Sequence, residues 1–168
     1  MSSVNQSRAD LLAKYSEGPS NLKKFVQKIP DDSLNGQITT GEWSIRDIIH
    51  HIVDGDDIWN TCIKAALGNQ QGEFSLQWYW DNPQKEWSKQ WMYNIRSLEN
   101  SLELYRANRA HIVELLNLIP DSLDRSVKIR WPGDEDLSTI SVEEVIKMHV
   151  DHLEGHLEDL ANILSEKK

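Results

Sequence analysis

At 168 residues the chain is long enough for one domain with a buried core, and it is read as a single domain over 1–168. A net charge of −9 excludes the basic face that nucleic acid or an anionic membrane surface needs. The single cysteine, Cys62, excludes an internal disulfide, no apolar run approaches the ~18 residues of a membrane span, and the first residues lack the basic and apolar regions of a secretory leader, so a cytoplasmic setting is expected.

The pattern is helical nearly throughout. Leu11, Leu12, Tyr15, Leu22, Phe25, Val26 and Ile29 recur at three-to-four spacing. Gly18-Pro19 interrupts them and predicts a kinked helix or two short ones, ending at Pro30. After a connection over 31–43, Ser44 with Asp47 three residues on predicts a capped helix start, and Ile45, Ile48, Ile49, Ile52, Ile58, Cys62, Ile63 and Ala66 form its apolar face up to Gly68-Asn69. Residues 69–83 read as a loop that carries Phe74, Trp78, Tyr79 and Trp80. So aromatic a loop is expected to pack down as a lid or to meet another chain. A third helix is predicted from about Pro83 to Leu118, with Trp87, Trp91, Ile95, Leu98, Leu102, Tyr105, Ile112, Leu115 and Leu116 as its stripe. Residues 120–140 read as irregular, with Val127–Trp131 as a short strand. Ser141-Val142-Glu143-Glu144 is a capping box that opens a last helix to about Leu164. Four substantial helices with long connections predict an all-α four-helix bundle.

The chemistry concentrates in the last helix. His152 and His156 are four residues apart, which puts two imidazoles on one face, one turn apart. Neutral imidazoles so placed can share a divalent ion, and His149 lies on the same face. The competing reading is an acidic helix with surface histidines. A third ligand would come from His50-His51; His51 shares a stripe with Ile48, Ile52 and Gly55 and is the better interior candidate. Three histidines leave a coordination position open, as catalytic sites do and structural sites do not. Asp54 and Asp56 could orient a histidine or act as base, and could equally be solvated charges near a helix start. His111 stands alone and reads as a surface residue. Cys62, eleven residues beyond His51, is ~16 Å away along the helix and reads as core. His-Leu-Glu-Gly-His shifts the glutamate, Glu154, off the register of a zincin motif. No nucleotide loop, nucleophile elbow or Cys-x-x-Cys is present.

The stretch Gly41-Glu42-Trp43-Ser44-Ile45-Arg46-Asp47-Ile48-Ile49-His50-His51-Ile52-Val53-Asp54 resembles the tryptophan-led helix start of the DinB/YfiT-like superfamily. The run His149 to His156 behind its capping box resembles that family's C-terminal helix, and the aromatic, acidic segment ending at Trp87 resembles its variable segment. Together the likeness covers about residues 8–165. It implies a four-helix bundle with a crossover connection, often as a homodimer, with a divalent metal on His51, His152 and His156. Zinc or nickel is the expected ion, with manganese or cobalt as alternatives. It further implies a low-molecular-weight-thiol S-transferase, joining a thiol of the bacillithiol, mycothiol or glutathione kind to a small electrophile. The alternatives are a metal-dependent hydrolase with water as nucleophile, and a non-enzymatic metal-binding module of a stress response. On the transferase reading, Trp78, Tyr79 and Trp80 shape the electrophile pocket, and Arg46 and Arg130 meet the thiol's carboxylates. Asp56 stands where many family members carry Glu or His, so a base role is not carried over to it.

Overall fold

A computed structural model describes residues 3–36 and 43–166. Four long helices form the body: α1 (Ser3–Val26), α2 (Ile45–Gly68), α5 (Leu98–Leu118) and α6 (Val142–Glu166). Two short helices, α3 (Gln77–Trp80) and α4 (Gln84–Gln90), lie between α2 and α5. Helices α1 and α2 each pack against both α5 and α6, so α1 and α2 sit across a diagonal of the bundle. The chain therefore crosses the bundle between its first two long helices and again between its last two. Among the described residues, no helix is long and apolar enough to cross a membrane.

Both predicted caps are present. The Ser44 hydroxyl accepts from the Asp47 amide at 3.1 Å while the Ser44 amide donates to the Asp47 carboxylate at 2.9 Å. Ser141 and Glu144 make the same reciprocal pair at 3.2 and 2.7 Å. These fix where α2 and α6 start, and so fix the phase of the histidines on each. Gly41 and Glu42 of the tryptophan-led motif lie outside the described residues.

The Gly18-Pro19 interruption is absorbed within one continuous helix, α1. Proline at 19 has no amide to offer the Tyr15 carbonyl one turn back. The Arg109 guanidinium of α5 donates to that carbonyl instead, at 2.9 Å. Gly18 makes room for it, since a Cβ there would lie 2.3 Å from Arg109 Nη1.

The predicted third helix, 83–118, is two helices. The break falls where Met92 takes a left-handed φ of 54°, and Ser97 caps α5 by accepting from the Asn100 amide at 3.2 Å. Ile95, placed on the stripe by its spacing, is 70% exposed. The break turns Arg96 back onto α2, where it forms a two-armed pair with Asp54 at 2.6 and 3.0 Å.

The two long connections are joined by a small sheet. Strand β2 (Ser126–Ile129) lies between β1 (Glu73–Phe74), parallel to it, and β3 (Ser138–Ser141), antiparallel. Phe74 pairs with Ile129, and Ile129 with Ser138. This pairing draws the aromatic segment after α2 against the segment before α6. The aromatic segment packs down, as one of its two readings expected. Tyr79 is buried, stacked on Trp87 and Trp91 at centroid distances of 5.8 and 6.4 Å, and Trp87 Nε1 donates to the Tyr79 carbonyl at 2.9 Å.

Candidate metal centre

His51 comes from α2, and His152 and His156 from α6, which packs beside it. Nε2 of His152 lies 3.1 Å from Nε2 of His51 and 3.1 Å from Nε2 of His156. All three ligand atoms fall within 4.8 Å of one another, a group able to hold a metal ion. Two nitrogens bound to one zinc at ~2.0–2.1 Å stand roughly 3 Å apart, so the spacing suits a common ion. A hydrogen-bonded ring chain suits it less well. His152 Nε2 would have to serve both neighbours, and the His152–His156 centroids are only 4.6 Å apart at 77°. The nitrogens therefore converge on a shared point rather than face each other along a straight bond.

Burial tunes these groups toward metal binding. Desolvation, with repulsion from the other two rings, pushes His51 down to about 3. Desolvation and then His156 push His152 down to about 4, and desolvation lowers His156 as well. Neutral imidazole is the form that ligates, so at neutral pH protons do not compete for the site. Trp43 packs over His51 at 4.6 Å and closes one side.

The other side opens into a cleft of about 360 Å³, whose lining includes His51, His152, His149, Trp59, Tyr79 and Trp80. Of the predicted pocket aromatics, Tyr79 and Trp80 line it. Trp78 does not: it is 50% exposed and rests on Tyr79 and Trp87. Trp59, on the α2 face, contributes where no role had been foreseen. Arg46 and Arg130 are absent from the lining. Arg46 is held by the Asn35 side chain and the Arg96 carbonyl at 2.7 and 3.0 Å, and Arg130 is exposed on the strand connection.

The remaining candidates also have definite places. His50 is fully buried on the opposite flank, with Nδ1 2.9 Å from the Ser101 hydroxyl, and desolvation lowers it to about 4. Asp54 is paired with Arg96, as above. Asp56, 3% exposed, accepts from Nε and Nη2 of Arg109 at 3.1 and 2.9 Å. Neither carboxylate joins the nitrogen cluster. His149 is 4% exposed, stacked on Tyr15, with Nδ1 3.1 Å from Asp56. His111 is exposed, and Cys62 is buried with its thiol pushed up to about 12 by desolvation, so it is inert core. Arg109 escaped the sequence reading. The signal was its place in the buried series Tyr105, Ile112, Leu116, where a charge has no solvent.

Residues 14–160 match the family model of the DinB superfamily. The chain belongs to the DinB superfamily. A protein of Oceanobacillus iheyensis named "Putative metal-dependent hydrolase OB0782" is 27% identical over 150 residues, covering 89% of this chain and 81% of that protein. A Bacillus subtilis protein with the same description, YfiT, is 22% identical over 147 residues, covering 88% and 78%. The solved structure of YfiT, described as an unusual four-helix bundle topology, superposes with a TM-score of 0.82 at 19% identity, over 99% of this chain and 90% of that one. The fold is thus a DinB-like four-helix bundle, with a three-histidine cluster like that expected of a metal site.

Proposed function

We propose that this chain is a metal-dependent enzyme that transfers a low-molecular-weight thiol to a small electrophile, with His51, His152 and His156 holding the divalent ion. The observation that carries this reading is the convergence of three neutral imidazole nitrogens beside an aromatic cleft. A divalent ion bound there supplies an open position at which a thiol or a water loses its proton more readily. The protein's own residues do the rest. Burial keeps the three rings unprotonated, Trp43 shields one side, and Trp59, Tyr79 and Trp80 wall the space where the second reactant sits.

The choice of thiol over water rests on proton acceptors. Asp54 and Asp56, the carboxylates that follow His51, are committed to Arg96 and Arg109, and Asp151, beside His152 in the cleft lining, is paired with Lys147 at 2.8 Å. A thiol at pKa ≈ 8.5 needs far less help to ionise than water at 15.7. Hydrolysis is the second reading, favoured by the names of the two relatives.

The test starts with metal content of untagged protein beside a His152→Ala/His156→Ala variant. About one zinc or nickel per chain, lost in the variant, supports the site. Loaded protein is then given cysteine, glutathione or bacillithiol with a chloroarene, and separately a panel of esters and amides. Metal-dependent formation of the aryl thioether, with the C–Cl bond broken and chloride and the thiol proton released to solvent, supports the transferase; ester or amide turnover alone replaces it with the hydrolase. Absence of metal uptake removes both.

A further inference from the structure

The wall of the cleft is more specific than an apolar lining. Trp59 of α2, Trp80 of α3 and Trp131 after β2 form a closed triangle, with centroids 6.4, 5.6 and 5.7 Å apart and all three half-buried. Trp59 and Trp80 line the cleft beside His51 and His152, while Trp131 braces both. The arrangement is built from three separate segments, which the β1–β2 pairing holds together. Beside it, Tyr79, which also lines the cleft, stacks on Trp87 and Trp91, themselves only 4.8 Å apart. Such a wall is already ordered, so little side-chain freedom is lost when a ligand settles on it.

Two further features narrow the ligand. Gly55, one turn beyond His51, also lines the cleft, and a Cβ there would rest against His152 Cε1 at 3.7 Å. A glycine inside a helix costs ~1 kcal/mol relative to alanine, and here it leaves the space beside that ring clear. Among the described residues no lysine or arginine lines the cleft, and the acidic side chain there, Asp151, is already paired with Lys147 at 2.8 Å. A carboxylate or phosphate on the ligand would find no counter-charge. Indole faces carry negative π density, which favours offset stacking with a ring depleted of it.

We infer that the cleft is a binding site for an uncharged, electron-poor, planar aromatic group, stacked on Trp80, with Trp59, inclined 53° to it, as the flanking wall. This rests on the proposed function in making that group the electrophile, but the binding itself requires no metal.

Metal-free protein is titrated with 4-nitroanisole and with 4-nitrobenzoate, with binding followed by ligand-observed NMR. The neutral probe is expected to bind about tenfold tighter than the anion. Trp80→Leu, which keeps apolar bulk without a π face, is expected to weaken the neutral probe about tenfold, and Trp80→Phe to retain most of the affinity. Trp78→Ala, outside the cleft, leaves binding unchanged. Equal affinity for the two probes, no loss in Trp80→Leu while Trp80→Phe is folded, or no binding at all would overturn the inference. Aromatic binding in a protein that takes up no metal would overturn the proposed function and leave this site standing. Metal uptake without aromatic binding would do the reverse.

Discussion

Replacing Arg109 with methionine tests how the bundle is held together behind the site. Arg109 and Asp56 are 2% and 3% exposed, so neither charge has water to fall back on. Four hydrogen bonds leave the guanidinium: two to Asp56, one to the Tyr15 carbonyl and one to the His149 carbonyl at 3.2 Å. Its face also covers the Tyr15 and Tyr105 rings at 4.3 and 4.6 Å. Methionine restores much of the volume but strands a buried carboxylate, a loss of about 3–5 kcal/mol. For a chain of this size that is a fall of about 6–20 °C in melting temperature, at roughly 2–4 °C per kcal/mol. Removing both charges, with Asp56→Leu added, recovers about 2 kcal/mol of it. About 1–3 kcal/mol remains lost, because Pro19 leaves the Tyr15 carbonyl with no other donor. Arg106→Ala is the control, since its pair with Glu103 is 64% and 51% exposed and is expected to change almost nothing. Urea and thermal unfolding measure all four proteins. A cost below about 1 kcal/mol for Arg109→Met would refute the claim that this pair is desolvated and structural.

Other outcomes follow from the same structure. Gly18→Ala, which in an ordinary helix gains ~1 kcal/mol, is expected to lose about 1–3 kcal/mol in urea unfolding. The added Cβ would meet Arg109 Nη1 at 2.3 Å and Leu153 Cδ2 at 2.9 Å. Ser44→Ala removes the hydroxyl of the α2 cap and is expected to cost about 1 kcal/mol, read from the same assay; a neutral result means the cap is redundant. In metal-free protein, His51 and His152 sit at about 3 and about 4, below the usual 6.5. Above 6.5 neither the folded nor the unfolded chain protonates them. As pH falls from 6.5 toward 4 the unfolded chain takes up protons that the folded one refuses, so stability drops across that window. Chelator-treated protein is expected to melt progressively lower over this range, and His152→Ala/His156→Ala less steeply; identical slopes count against buried neutral rings. Zinc or nickel added back raises the melting temperature of the wild type and leaves that variant unmoved, because a ligand of the folded state alone must stabilise it.

What was legible in the sequence was whatever local chemistry dictates. Ser44-Asp47 and Ser141-Glu144 announce helix starts through groups three residues apart, and both starts hold. His152 and His156 share a face because helical spacing requires it, and His51 rather than His50 turns toward them because it continues the isoleucine stripe. The errors arose where a distant partner overrides local pattern. The stripe of Trp87, Trp91, Ile95 and Leu98 keeps helical spacing through 92–97, yet the chain breaks there and Arg96 turns back to Asp54. Ser97 was a readable cap that the hydrophobic spacing obscured. The Pro19 interruption disappears because the missing donor arrives from Arg109, ninety positions downstream in the sequence. Likewise Trp59, Trp80 and Trp131 meet through a sheet of very short strands, and strands of two to four residues leave little periodicity to read.

The path of the chain makes one side chain central to the geometry of the site. Because α1 and α2 lie across the diagonal, each packs mainly against α5 and α6, and they meet directly only at points such as the Tyr15 hydroxyl, which donates to Asn60 at 3.2 Å. Arg109, on α5, bonds to the Tyr15 carbonyl of α1, to Asp56 of α2 and to the His149 carbonyl of α6, so a single guanidinium touches all four long helices. Its contacts on α2 and α6 lie five residues after His51 and three before His152. The separation between His51 and His152 is therefore set just behind the cluster by charged hydrogen bonds of fixed direction, whereas apolar packing alone would permit sliding. A metal site needs its ligands held to within about 0.5 Å. Arg109 and Asp56 accordingly act on the histidines by fixing the helices that carry them, and metal affinity should fall in Arg109→Met under conditions where the protein is still folded. Unchanged affinity there would mean that α2 and α6 hold their spacing without the guanidinium.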